Sequence, residues 1–324
     1  MSDLLFVGDV HATPDDLDDC EALLTLVEKT ASERGVGRIV FLGDQYHTHG
    51  IVRVEVMGFW SRWFERLSKN HKVTVVLGNH DRPNDSSISD HALRAHAHVV
   101  DVVDSPKVLG GVLYLPYYHD NEEFVKVCNE YPLTRTVVCH QTFDGGKYEN
   151  GAYMADGVDQ EKILQEMVIS GHIHTPQSFG KVVYVGAPRW RSLADAAATS
   201  RSIRPADIEA GLVKLGAGVS TGGVCSKIIY AKITPDEPDV PKCNSKDRLY
   251  VDVHGNEGFV KSTKEALQGA GVRIRTFVET KRVAAIRESD GIPKAFEKYA
   301  SRFEPPFGSD KETVKGVALA RTTR

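Results

Sequence analysis

Residues 72–81, "KVTVVLGNHD", join an apolar run to a cluster of polar side chains. The run from Val73 to Leu77 has the length and composition of a buried β-strand. It ends at a glycine that is followed directly by Asn79, His80 and Asp81. In open α/β sheets, ligands bind beyond the carboxyl ends of the strands. The stretch therefore predicts a buried strand that delivers three polar groups to one site.

The same arrangement recurs along the first two hundred residues. Four other apolar runs end at Asp9-Val10-His11, Gly43-Asp44, Cys139-His140 and Gly171-His172-Ile173-His174. Between the early strands, apolar residues at helical spacing predict helices near residues 16–34 and 54–69. This alternation of strands and helices predicts a layered α/β domain with a buried sheet.

The chemistry of these clusters points to metal ions. Asp, Asn and His are oxygen and nitrogen ligands that suit Mn, Fe or Zn. Seven such ligands are more than one ion needs and are appropriate for a pair. Each short motif alone has a simpler explanation, since Asp-x-His is common by chance, Gly-Asp is often a turn, and His-Ile-His fits a packed strand. Their order and shared context favour a metal site.

The combined pattern resembles the calcineurin-like metallophosphoesterase superfamily. Its signature is D-x-H, GD, GNH followed by Asp or Glu, a single His, and GH-x-H, and all five motifs occur in order between Asp9 and His174. The resemblance implies a four-layer α/β/β/α sandwich around a dinuclear metal centre. It also implies a metal-activated hydroxide as the nucleophile, with manganese as the expected metal and iron, zinc, magnesium and nickel as alternatives.

The resemblance also assigns roles to individual residues. One ion would be held by Asp9, His11, Asp44 and His174, and the other by Asp44, Asn79, His140 and His172. Asp44 would bridge the two ions. His80 would protonate the leaving group or stabilise its developing charge, and Asp81 would hold the His80 ring in position.

The second motif indicates a branch of this superfamily. In the Ser/Thr phosphatases it continues into Asp-Arg-Gly, whereas here residues 43–50 read "GDQYHTHG". An aromatic residue and then a histidine after Gly-Asp is similar to the Mre11/SbcD-type nucleases. The segments "LPYYHD" (115–120) and "GHIHTPQ" (171–177) are also similar to that branch, although Ala187 stands where it usually has Ser. On this basis His47 would contact the phosphodiester or its leaving strand, and its alternative is a surface histidine.

Other histidines, two arginines and a tryptophan lie near these motifs in the sequence. We expect His49 to be a surface loop residue, and we expect His91, His96 and His98 to lie on a solvated helix. Arg189 and Arg191 are candidates to grip a phosphate backbone. Trp190 between them either stacks on a base or packs in the core.

Charge and composition suggest two domains. Residues 1–200 carry 18 Lys and Arg against 28 Asp and Glu, whereas residues 201–324 carry 22 against 16. We predict a metallophosphoesterase domain over residues 1–200 and a small α+β capping or DNA-binding domain over residues 205–324. Five cysteines without a CxxC pair, no long apolar run and no apparent signal segment predict a cytoplasmic protein that does not enter a membrane.

The leading functional hypothesis is a metal-dependent DNA exo- or endonuclease of repair or recombination. DNA is the expected partner, together with an ATPase subunit of the SMC (Rad50/SbcC) type, because the chain has no P-loop of its own; a homodimer is a further expectation. The alternative is a phosphatase or phosphodiesterase acting on small nucleotides or phosphoproteins. A non-catalytic scaffold is disfavoured by the full set of ligands.

Overall fold

The computed structural model describes residues 3–84, 90–148, 151–267 and 272–279. Two large sheets face each other, helices cover their outer faces, and a third, smaller sheet follows in the chain. The mixed α/β fold with four layers that the sequence predicts is therefore confirmed.

The first sheet joins early and late parts of the chain. Its strands are β1 (Leu4–Val7), β2 (Arg38–Phe41), β3 (Lys72–Val76), β4 (Asp101–Val103), β11 (Ser202–Glu209), β12 (Leu212–Leu215) and β13 (Val219–Ser220). The order is β12-β11-β1-β2-β3-β4, with β13 paired to β11. Strands β1 to β4 are mutually parallel, whereas β11 adds to β1 in the antiparallel direction.

The second sheet comes from the middle of the chain. Its strands are β5 (Lys107–Leu109), β6 (Val112–Tyr114), β7 (Thr136–Cys139), β8 (Met167–Ser170), β9 (Gln177–Phe179) and β10 (Val182–Tyr184). They run in the order β5-β6-β7-β8-β10-β9, and β6, β7, β8 and β10 are parallel. Apolar residues from both sheets, among them Phe6, Val40, Tyr114 and Ile169, form a buried core between them.

Three helices complete the layers. Helices α1 (Leu17–Arg34) and α2 (Val54–Ser68) cover the first sheet, and α3 (Asn121–Asn129) covers the second. Helix α2 buries one apolar stripe, consisting of Val56, Phe59, Trp60, Trp63, Phe64 and Leu67. This stripe packs against the first sheet, which explains the helical spacing of its large residues.

The first sheet includes strands that lie beyond the predicted domain boundary in the sequence. The sequence predicts a first domain that ends at residue 200, but β11, β12 and β13 extend its sheet as far as Ser220. Ile203 on β11 and Cys225 beyond β13 are both buried in the core beneath α1 and α2. The charge change near residue 200 therefore does not coincide with the end of this sheet.

A smaller unit follows. It contains β14 (Ile228–Ile233), β15 (Arg248–Gly255), α4 (Glu257–Leu267) and β16 (Arg273–Val278), and its three strands form one parallel sheet. Strands β15 and β16 with α4 between them form a strand–helix–strand unit, and this smaller sheet has its own apolar core around Val251 and Val253. Its capping or DNA-binding role stays a prediction, and the end of the predicted second domain, residues 280–324, lies outside the described residues.

Within the described ranges, every helix is too short or too polar to cross a bilayer.

We predict that Ile203→Ala destabilises the metal-site domain by about 2 to 5 kcal/mol, because the change empties a fully buried position. All three tryptophans precede β11, so their fluorescence during urea unfolding of the full chain reports on this domain. Asp207→Ala, at an exposed position on the same strand, is the matched control. An unchanged tryptophan transition in Ile203→Ala would show that β11 is not integral to that domain.

Candidate metal centre

The predicted ligands meet where the parallel strands of both sheets end. Asp9, Asp44 and Asn79 follow β1, β2 and β3, while His140 and His172 follow β7 and β8. Because the two sheets stack with these ends together, side chains far apart in sequence come into contact. Two groups of potential ligands result: Asp9, His11 and His174 in one, and Asp44, His140 and His172 in the other.

Contacts within and between these groups are close. In the first, His11 Nε2 lies 3.1 Å from His174 Nε2. In the second, His140 Nε2 lies 3.2 Å from His172 Nδ1. The same atom lies 3.1 Å from Oδ1 of Asn79, another predicted ligand. All seven predicted ligands thus lie at one locus.

Asp44 lies between the two groups. Its Oδ2 atom is 3.3 Å from His11 Nε2 on one side and 3.4 Å from His140 Nε2 on the other. A single carboxylate oxygen that contacts a member of each group has the position required of a bridging ligand. The bridging role itself stays a prediction.

The donors at this locus fit a pair of divalent cations. Asp9 and Asp44 are almost fully buried, and Asp9 Oδ2 has no hydrogen-bond partner among the described residues. The other Asp9 oxygen, Oδ1, accepts the His172 N–H at 2.7 Å. Because unpaired buried carboxylate oxygens are costly, a cation is the natural partner for Asp9 Oδ2.

Backbone strain concentrates at the same residues. Among the described residues, four non-glycine residues have positive φ, and three of them are the predicted ligands His11 (47°), Asp44 (55°) and His172 (78°). Such conformations cost of order 1 to 3 kcal/mol each and persist where the surrounding structure enforces them. The fold therefore holds these side chains in place before any ligand binds.

Two glycines make the close approach feasible. A Cβ atom added to Gly78 would lie 2.1 Å from Asp44 Oδ1, and one added to Gly43 would lie 2.4 Å from His140 Nδ1. Neither position accepts a side chain, which accounts for the glycine in the Gly-Asp and Gly-Asn-His motifs.

Electrostatics at the site reflect two buried carboxylates among histidines. Burial raises the pKa of Asp9. Burial also opposes ionisation of Asp44, but His140 and His11 outweigh it and hold the pKa of Asp44 well below its ordinary value. Burial likewise opposes protonation of His140, yet Asp44 and Asp9 raise its pKa to about 9. The side chains of the protein thus favour the negative charge of Asp44, the carboxylate that is predicted to bridge the ions.

Asp81 has a different partner from the one predicted. Its carboxylate accepts four backbone N–H groups, from Asp44 (3.0 Å), Gln45 (2.9 Å), Tyr46 (3.1 Å) and Gly78 (3.0 Å). Asp81 therefore ties the loop after β2 to the loop after β3. The prediction that it holds the His80 ring is corrected accordingly.

The His80 ring is held by another group. Its Nδ1 atom lies 2.6 Å from the backbone carbonyl oxygen of His47, and its ring stacks on His49 with centroids 4.3 Å apart. The ring centroid is 4.7 Å from that of His11, at the margin of the metal locus. The expectation that His49 is only a surface residue is corrected, because it packs on the predicted acid.

His47 lies at the predicted place. One nitrogen from each of His11, His47 and His80 lies within 4.8 Å of the others. Burial and the adjacent Arg191 lower the pKa of His47 to about 4, so its ring is neutral at physiological pH. Its contact with a phosphodiester stays a prediction.

Arg189 and Trp190, two of the candidates for contacts with the substrate, are both buried. Arg189 is fully buried, donates to the carbonyl oxygens of Val10 and His11, and pairs with Asp16 at 2.9 Å. It therefore supports the loop after β1 and does not reach solvent to grip a phosphate backbone. Trp190 is 1% exposed and donates to Ala198 O, so it packs in the core.

His96 also departs from expectation. It lies in the short 3-10 helix Ala92–His96, is 1% exposed, and its Nε2 atom is 2.7 Å from the Tyr46 hydroxyl. The predicted solvated helix is wrong for this residue, although His98 is exposed.

Sequence reasoning missed a buried ion pair beside the site. Arg201 pairs with Asp195 and also donates to the carbonyl oxygen of His174. Asp195 further accepts the backbone N–H groups of Arg191 (3.0 Å) and Ser192 (2.9 Å). The Ser-x-x-Asp capping pattern at 192–195 was a local signal for Asp195, but nothing in the sequence links Arg201 to a metal ligand.

A family model for calcineurin-like phosphoesterases matches residues 3–176, which is more than half of the chain. The chain belongs to the calcineurin-like phosphoesterase family. Members of this family use a dinuclear divalent metal centre, and this chain has candidate Asp and His ligand groups for one.

A viral protein and a solved bacterial structure are among the proteins to which this chain is similar. "Putative phosphoesterase 078R" of Invertebrate iridescent virus 3 is 26% identical over 191 residues, which are 54% of this chain and 53% of the viral protein. The chain therefore matches about half the length of that relative. The crystal structure of Pseudomonas putida nuclease MPE is 18% identical, with a TM-score of 0.31, and the match covers 66% of this chain and 88% of the nuclease.

We expect Asp44→Ala to abolish activity and to remove both ions, since Asp44 Oδ2 contacts both ligand groups. Metal content per chain, measured by plasma mass spectrometry after dialysis with Mn²⁺, checks this. Asp18→Ala on the exposed face of α1 is the control and should keep both ions. Retention of two ions by Asp44→Ala would contradict the bridging role.

We also expect Asp81→Ala to lower the free energy of unfolding by at least about 3 kcal/mol, because four buried N–H groups lose their acceptor. Asp81→Asn keeps one acceptor oxygen and should be less destabilised. Urea unfolding measures both. Unchanged stability with reduced activity would instead favour the original role, in which Asp81 acts through His80.

Proposed function

We propose that the protein is a nuclease that cleaves phosphodiester bonds of DNA. The observation that carries the proposal is the position of His47, three residues after Asp44 and beside both His11 and His80. This position beside the predicted ligand His11 and the predicted acid His80 supports a role for His47 in contacting a phosphodiester.

The chemistry required is distributed over the residues described above. When bound, two divalent ions polarise a phosphoryl oxygen and lower the pKa of coordinated water. His80, anchored at Nδ1 by the His47 carbonyl, offers its remaining ring nitrogen to the leaving oxygen. It can donate a proton there as the ester bond breaks. Asp9 and Asp44 hold their buried negative charge where cations are needed.

The second candidate is a phosphatase or phosphodiesterase of small nucleotides or phosphoproteins. It would use the same ligands and differ in how the surrounding cleft accepts the rest of the substrate. A cavity of about 350 Å³ beside His47, lined in part by Thr13, Thr48 and Arg53, favours this alternative because it is large enough for a small organic group.

The remaining expectations belong to this proposal. They are manganese as the physiological metal, DNA as the partner, and a cytoplasmic role in repair or recombination. An SMC-type ATPase would supply any ATP-driven step, because the sequence has no P-loop.

A homodimer is also proposed. The large apolar residues of α2 are buried against the first sheet, so they are not available to form the dimer interface.

A substrate panel with Mn²⁺ tests the proposal. The purified protein is incubated with end-labelled linear duplex, circular plasmid, nucleotides and a phosphopeptide. We expect degradation of DNA, and a loss of at least about 100-fold in rate for His80→Gln with both ions retained. Hydrolysis of nucleotides or the phosphopeptide with all DNA intact would refute the nuclease and support the alternative.

A further inference from the structure

Arg191 lies at the rim of the metal centre. Its Nη2 atom is 2.9 Å from His47 Nδ1 and 3.3 Å from His47 Nε2, and its side chain is partly buried. Because His47 clusters with His11 and His80, the guanidinium borders the space in which a phosphoryl group would meet the metals.

Among the described residues, no carboxylate forms an ion pair with the Arg191 guanidinium, whereas Arg189 and Arg201 both have such partners. Arg189 pairs with Asp16 and Asp19, and Arg201 pairs with Asp195. Within the described ranges, no Asp or Glu oxygen lies within 4.0 Å of the Arg191 guanidinium. A partly buried cation without an anion is costly, and an anionic ligand would relieve that cost.

The backbone of Arg191 is nevertheless firmly held. The Asp195 carboxylate accepts the Arg191 N–H, and its partner Arg201 donates to the carbonyl oxygen of His174. One buried ion pair therefore fixes both Arg191 and a predicted metal ligand. The contact of its Nη2 atom with the His47 ring then places the guanidinium beside the metal locus.

We propose that Arg191 binds a non-bridging oxygen of the phosphoryl group undergoing hydrolysis. A guanidinium offers five N–H donors in a planar fork, so it can keep its contact with His47 and still donate to phosphate. Charge-assisted bonds of this kind are among the stronger hydrogen bonds. This role rests on the phosphoesterase activity of the family and does not require that the substrate be DNA.

The test uses a substrate with a single phosphate. Bis(p-nitrophenyl) phosphate has no neighbouring phosphate, so any effect of Arg191 on it concerns the reacting group. In the Mn²⁺-loaded full chain, we expect Arg191→Ala to raise KM by about 10- to 100-fold. The inhibition constant of inorganic phosphate should rise by a similar factor. Arg191→Lys should lie between Arg191→Ala and the natural chain.

Two controls separate binding from structural damage. Arg135→Ala removes a half-buried arginine that pairs with Glu166 just before β7, and it should leave KM unchanged. Added guanidinium ion should restore hydrolysis by Arg191→Ala, because the small cation can occupy the vacated space, whereas a structural defect would not respond. Melting temperature and metal content of each variant verify that the site is intact.

The outcomes are distinct. Raised KM and phosphate inhibition constants with two ions bound, and rescue by guanidinium, support the role of Arg191. An unchanged KM for the small diester overturns it, even if DNA cleavage is impaired, because Arg191 would then contact a neighbouring phosphate. If the natural chain hydrolyses the diester but not DNA, the nuclease proposal fails and the role of Arg191 is still decided by its variants.

Discussion

The structure depends on the burial of two carboxylates between stacked sheets. Asp9 and Asp44 are almost completely excluded from solvent, and their negative charges are balanced within the described residues chiefly by histidines. Such charges are tolerated only where positive charge is close. The strand order brings the carboxyl ends of both sheets together, so that residues 9 to 174 supply the carboxylates and their partners at a single place.

Loops, and not strands, set the final geometry. Asp81 ties together the two loops that carry Asp44 and Asn79 through four backbone N–H groups. On the other side, Arg189 holds the loop after β1 through two carbonyl oxygens, and Arg201 holds His174. Charged side chains that appear functional in the sequence thus serve to fix the backbone from which the ligands project.

Sequence patterns were sufficient for the layers and for selecting polar residues that the structure brings together. Helices α1 and α2 followed from apolar spacing, and the clustered Asp and His residues followed from polar positions at strand ends. Tertiary contacts decided the rest. Arg189 and Arg191 are two residues apart and chemically identical, yet only Arg189 meets carboxylates of α1 and its N-terminal turn. The pairing of β11 with β1 could not be predicted either, because two strands that lie about 200 residues apart carry no local sequence pattern that marks them as partners.

The left-handed conformations at His11, Asp44 and His172 imply a trade-off between stability and function. Their cost, of order 1 to 3 kcal/mol each, is a substantial share of the 5 to 15 kcal/mol that typically separates folded from unfolded chains. Glycine adopts this conformation without penalty. Glycine at these positions would release that strain but would lose more backbone entropy on folding, so a descendant freed from holding metal there would gain thermal tolerance wherever the released strain exceeds that entropy cost.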